Sequence, residues 1–81
     1  MRIKMRVYNY RVFLRREHEG GYTVLVPSLP GCITFGETVE EAIVMAKDAI
    51  KLYIESLKAH GEEIPVEEIV VETTVTVKAY A

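Results

Sequence analysis

The chain has 81 residues, 49% of them hydrophobic and 27% charged, with a net charge of −2. That length holds one small domain, residues 1–81, and a chain this short buries only about 60% of its unfolded-state surface, so a thin core and stabilisation by self-association are expected. The hydrophobic fraction excludes disorder, no apolar run approaches the roughly 18 residues of a membrane span, the polar start is no signal peptide, and the single Cys32 excludes a disulfide framework; a soluble cytoplasmic protein is expected.

From about Met5 to Arg16 the sequence alternates, with Tyr8, Tyr10, Val12 and Leu14 at even positions and Val7, Asn9, Arg11, Phe13 and Arg15 at odd ones. Period two with aromatic and β-branched residues predicts a half-buried strand, even face inward. Glu17–Gly21 ends in Gly-Gly and makes a turn, and Tyr22–Val26 returns as the second strand of an antiparallel hairpin. Pro27 and Pro30-Gly31 stop the pairing, because proline donates no ladder hydrogen bond, and Cys32–Phe35 is a short third strand.

A helix is expected from Val39 to His60. Thr38 with Glu41 has the spacing of a capping box, Glu37, Glu40 and Glu41 suit the positive end of the helix dipole, and Gly61 stands where a C-terminal cap belongs. Val39, Ala42, Ile43, Ala46, Ala49, Ile50, Tyr53, Ile54 and Leu57 form one apolar stripe. After the loop Glu62–Glu68, Ile69–Tyr80 alternates again: Ile69, Val71, Val75 and Val77 on one face, Glu72, Thr74, Thr76 and Lys78 on the other. This predicts a fourth strand. Two hairpin reversals and one helical crossover then give an α+β fold, β-β-β-α-β, with sheet order 3-2-1-4 and the helix on one face. The other face carries Val7, Arg11, Phe13, Leu25 and Val70 and is expected to be an interface.

Charge is segregated along the chain. Residues 1–16 carry six basic residues and no acid, whereas residues 17–81 sum to −8. Eleven Glu against one Asn and no Gln lean toward a thermophile.

The residues offer little for catalysis. The strand plan resembles a trimmed ribonuclease H fold, which needs clustered carboxylates for its metals, but Glu72 is the one acid well inside an expected strand. Asp48 lies on the helix between Lys47 and Lys51, as a surface ion pair would. Neither His18 nor His60 is placed by its context to activate Cys32, which reads as a structural cysteine. Ser28 and Ser56 lack elbow glycines, and no phosphate loop, CxxC pair or paired-histidine metal spacing occurs. The reading is a protein that is not an enzyme and holds no cofactor. The basic first strand with Tyr8 and Tyr10 superficially suits nucleic acid, but a second strand follows where a ribbon-helix-helix reader has helices, and net acidity opposes phosphate contact.

Tyr22, Pro27, Leu29-Pro30-Gly31-Cys32, then Gly36, Thr38, Glu40-Glu41 and Ala42 opening the helix resemble the signature of the HicB-like antitoxin family. The resemblance implies a degraded ribonuclease H-like fold without catalytic function. It implies an antitoxin that neutralises a HicA-like, messenger-RNA-cleaving toxin by direct binding, an acidic protein against a basic one. Relatives usually carry an acid where Ser28 stands, and many append a DNA-binding tail for which the sequence to Ala81 leaves no room. The expected contact residues are Val7, Arg11, Phe13, Leu25, Glu62 and Glu63, with the toxin and a second copy of the chain as partners. The motif itself is expected to serve the fold, Pro30-Gly31 as a tight turn and Gly36 through a positive φ. A standalone oligomeric scaffold or regulator, and a weak nucleic-acid binder, are the alternatives.

Overall fold

The computed structural model describes residues 5–80, so Arg2 and Lys4 of the basic segment lie outside the described residues. Its elements are β1 (Phe13–Arg16), β2 (Tyr22–Leu25), β3 (Ile33–Gly36) and α1 (Val39–Ala59). The strands form an antiparallel sheet of order β1-β2-β3, with Phe13 opposite Leu25 and Leu25 opposite Ile33.

The hairpin turn between β1 and β2 closes through Glu17 N–H on Gly21 O (3.0 Å) and Gly20 N–H on Glu17 O (3.1 Å), with both glycines at positive φ. The Glu17 carboxylate braces the turn. One of its oxygens accepts from Arg15 Nε at 2.9 Å and from Thr23 Oγ1 at 2.7 Å. These bonds, Thr23's first, hold the Glu17 carboxyl below its usual range.

Between β2 and β3 the chain folds into two successive turns, with Leu29 N–H on Val26 O (3.0 Å) and Cys32 N–H on Leu29 O (2.9 Å). Pro30 and Gly31, the latter at φ +81°, occupy the central positions of the second turn, as a type II turn requires. Tyr53 Oη donates to Pro30 O at 2.8 Å and ties the loop to the helix.

Helix α1 begins where Thr38 Oγ1 accepts from Glu41 N–H at 3.0 Å. Glu41 thus serves the cap through its amide, which is the hydroxyl half of the expected box. At the other end Gly61 N–H bonds Lys58 O and Glu62 N–H bonds Leu57 O (3.1 and 2.9 Å), with Gly61 at φ +64°. This is a complete Schellman stop, one residue short of the expected His60 end.

Two apolar clusters join helix and sheet. Val24, Ala42 and Ala46 pack with Val12, Leu14 and Tyr22. Val26, Leu29 and Cys32 pack with Tyr10, Val12, Ala49, Ile50 and Tyr53. The even-numbered face of the first segment does turn inward. Gly36 corrects an expectation: its φ is not positive, and its role is close approach, because a Cβ there would collide with the backbone of Ala42.

The larger correction concerns the sheet's size. The first strand is confined to Phe13–Arg16, and among the described residues 69–80 form no strand, so the sheet has three strands. Residues 5–12 run past the point where β2 ends at Leu25 and find no ladder partner there. Residues 68–80 lead away from the body as an exposed arm. The molecule measures 65 × 29 × 20 Å with a radius of gyration of 16.4 Å, against about 12 Å for a compact chain of this length.

Candidate interaction surfaces

The antiparallel register sorts the strand residues between two faces. Leu14, Val24 and Gly36 turn toward α1, while Phe13, Leu25 and Ile33 form a row across the three strands on the outer face. Arg15, Thr23 and Phe35 form the adjoining row. Phe13 is 45%, Ile33 60% and Phe35 42% exposed, and no described element covers them. The Phe35 ring lies over Gly21, where a Cβ would strike it, which fixes the edge of this apolar patch.

Of the expected contact residues, Phe13 and Leu25 are therefore direct cross-strand neighbours. Val7 is exposed but lies ahead of the sheet, and Val70 belongs to the arm, so neither extends the outer face. Glu62 and Glu63 are exposed just beyond the helix stop. Ile33 and Phe35 complete the patch and were not singled out from the sequence; their alternation across from Leu25 and Thr23 was the available signal.

Arg11 has a different occupation. Its backbone N–H donates to Glu67 Oε2 at 2.9 Å and its Nε–H to Glu67 Oε1 at 2.8 Å, and Ser28 Oγ donates to the same Oε1 at 3.1 Å. The Arg11 bonds, backbone first, hold the Glu67 carboxyl below its usual range. Tyr10 Oη donates to Pro65 O alongside, and burial pushes that hydroxyl's pKa up, keeping the proton it donates. This clasp anchors the root of the arm. It also gives Ser28 a local reason, because an acid at that position would face Glu67 with like charge.

A groove of about 790 Å³ opens between residues 6–14 and α1. Its walls include Tyr8, Tyr10, Val12 and Leu14 on one side and Ile43, Ile50 and Ile54 on the other, and its rim carries Arg6, Lys47, Lys51 and Lys58 against Glu55 alone. The rings of Tyr8 and Tyr10 stack at 6.3 Å between centroids, 5° from parallel. No arm residue lines the groove.

Cys32 is buried beneath the Pro30-Gly31 turn, and burial pushes its thiol pKa up, opposite to what a nucleophile needs. His60 holds Ser56 O through Nδ1 at 2.7 Å, and His18 sits in the hairpin turn at the other end of β2. Asp48 makes no ion pair among the described residues. Among those residues no three His, Cys, Asp or Glu side chains gather as a metal site, and no helix is long and apolar enough to cross a membrane.

The motif Tyr22 to Ala42 is thus absorbed by folding: Leu29 and Cys32 in the core, Pro30 and Gly31 in the turn, Gly36 against the helix, and Thr38 with Glu41 at its cap. Pro27 stands exposed at the loop's start, and Tyr22 packs against the first cluster.

Comparison with known proteins gives a consistent picture. Residues 10–81 match the family described as the HicB-like antitoxin of bacterial toxin–antitoxin systems. The chain is similar to a UPF0150 protein of Thermoplasma acidophilum, 52% identical over 56 residues that cover 69% of this chain and 81% of the relative. A UPF0150 protein of Synechocystis is 47% identical over 66 residues, covering 82% and 84%. Antitoxin HicB 1 of Photorhabdus laumondii is 43% identical over 56 residues, which cover 69% of this chain but 36% of that longer protein.

Proposed function

Because the chain belongs to the HicB-like antitoxin family, we propose that it is a non-enzymatic antitoxin that silences a HicA-like, messenger-RNA-cleaving toxin by covering it. The outer-face row Phe13–Leu25–Ile33, with Phe13 and Ile33 exposed and Leu25 half-buried between them, extended by exposed Phe35, carries this reading. An apolar row crossing all three strands, uncovered in a domain with so little core, is what a protein partner would bury.

We read the sheet and helix as the remnant of a ribonuclease H-like fold. The three strands, Phe-Leu-Arg-Arg, Tyr-Thr-Val-Leu and Ile-Thr-Phe-Gly, contain no carboxylate, which supports binding rather than metal-assisted cleavage. Glu37, Glu40, Glu41, Glu62 and Glu63 are exposed around the two ends of α1, where they would attract a basic RNA-binding toxin during encounter.

Co-expression with the HicA-like reading frame beside its gene should restore growth, and the two chains should co-purify. Phe13→Glu with Ile33→Glu should weaken the complex at least tenfold, since a charge buried at an apolar contact finds no partner. Glu62→Lys with Glu63→Lys should slow association while sparing the fold, and added salt should do the same. Failure to bind such a toxin at low salt, or the absence of any such frame, overturns the proposal and leaves a standalone scaffold in its place.

A further inference from the structure

The arm and the groove are two halves of one device, and we propose that each arm seats in the groove of a second copy of this chain, giving a dimer by reciprocal strand exchange. The inference goes beyond the antitoxin reading and does not depend on a toxin.

The arm has a strand's sequence without a strand's partner. Ile69, Val71, Val75 and Val77 alternate with Glu72, Thr74, Thr76 and Lys78, all exposed. Its backbone groups make no described hydrogen bond with the body. Strand-prone segments of this kind pair with an open edge when one is available.

The body has that edge. β1 pairs with β2 on one side only, and the extended residues 5–12 beyond it have no ladder partner on either side. A strand laid along this edge would place alternate side chains over the groove, whose walls are Tyr8, Tyr10, Ile43 and Ile50. Charge is compatible with the same occupant: the rim has four cations against one acid, and residues 68–80 carry Glu68 and Glu72 against Lys78.

The clasp directs the exchange outward. Glu67, held by Arg11 and Ser28, fixes the root of the arm beside its own first segment. From there the thirteen described residues 68–80, which span roughly 40 Å when extended, are exposed throughout and line none of the chain's own groove. A two-fold axis lets both arms enter both grooves by one contact used twice, closing the assembly at two chains.

Light scattering at 100 μM should return a dimer for the full chain. Truncation after Glu67 should return a monomer, and so should Val71→Asp with Val75→Asp, which touch nothing in the body and cannot unfold it. A full-length chain carrying Tyr8→Glu and Ile43→Glu, with its groove blocked, should also be monomeric. Mixing that chain with the arm-truncated one restores one intact arm and one intact groove, and should give a heterodimer. Hydrogen exchange in the full-length dimer should protect amides 69–79 at least tenfold over the groove-blocked monomer. A full-length monomer with protected arm amides would mean the arm folds onto its own β1, and overturns the proposal. So would a dimer that survives truncation, or two monomers that fail to complement; a dimer lost through Phe13→Glu with Ile33→Glu but indifferent to the arm would assign the contact to the outer sheet face.

Discussion

Two stretches of this chain share one two-residue periodicity and meet opposite fates. Residues 10–16 and 69–79 both alternate polar and β-branched or aromatic side chains. The first buries one face beneath α1 and pairs through Phe13–Arg16, whereas the second remains exposed along its whole length. The difference is not propensity. Five residues separate β1 from β2, so the hairpin closes at low entropic cost, and the loop cluster around Leu29 then roofs Tyr10 and Val12. The arm follows a 21-residue helix and a clasp that points it outward. Period two declares a strand; only topology supplies its neighbour.

The sharpest way to break the comparison is to remove a residue from each side. Leu29 is fully buried among Val26, Cys32 and the helix. Leu29→Ala should cost about 2–5 kcal/mol, a large share of the stability of so small a domain, and chemical denaturation followed by circular dichroism should show the midpoint collapse. Val75→Ala, in dilute and unassociated chain, should shift the same midpoint by no more than about 0.5 kcal/mol. Equal effects at the two positions would mean that the arm is packed.

Gly36 comes next in size. β3 and the first turn of α1 touch there so closely that a Cβ would enter the backbone of Ala42, and backbone yields less readily than a side chain. Gly36→Ala should cost about 1–3 kcal/mol, measured by the same denaturation. A neutral substitution would show that helix and sheet can separate without loss.

These positions also show what was legible in the sequence. Helix α1 is readable almost to the residue because both its ends are local signals, Thr38 within three residues of the amide that donates to it and Gly61 at its stop. The hairpin was readable because Gly20-Gly21 joins two alternating runs. The Val26–Cys32 loop was recognised as a break in pairing, but its place as the second core was hidden, since Leu29 and Cys32 are single apolar residues among turn formers and follow no period. Gly36 was seen as special for the wrong reason: close approach across a fold leaves no local signature distinct from a turn. The clasp joins residues 56 apart, and no periodicity carries that information. The alternation of residues 69–80 predicts a fourth strand, yet among the described residues this segment forms none and the sheet has three strands, because pairing is a property of two segments and the pattern belongs to one.

A smaller effect is expected at the helix start. Thr38→Ala removes the acceptor for Glu41 N–H and should cost about 1 kcal/mol, while Thr38→Ser should restore most of it. Because the cap sits at the end of α1 that packs against β3, amide exchange should quicken in the first helical turn and leave the arm unchanged.

The smallest effect, and the one that addresses the junction between the two regions, is the titration of Glu67. Three donors, Arg11 N–H, Arg11 Nε–H and Ser28 Oγ–H, face its ionised carboxylate, and the bonds from Arg11 chiefly hold its pKa below that of an unfolded glutamate. A depressed carboxylate stabilises the folded form fully above the unfolded value, and that contribution is lost as pH falls through the folded one. The clasp should therefore be intact at neutral pH and open as pH falls through the folded value, which lies below that of an unfolded glutamate. The pair is partly exposed to solvent, so screening keeps its effect on global stability slight. Its effect on the arm's direction is read more directly, by the chemical shifts of the Arg11 and Ser28 amides and by cleavage of residues 62–68 with an acid-stable protease. Glu67→Gln should show the opened signature already at pH 7 and lose the pH dependence. A wild-type profile flat between pH 3 and 7 would mean that the arm's root is held by Tyr10 and Pro65 rather than by charge.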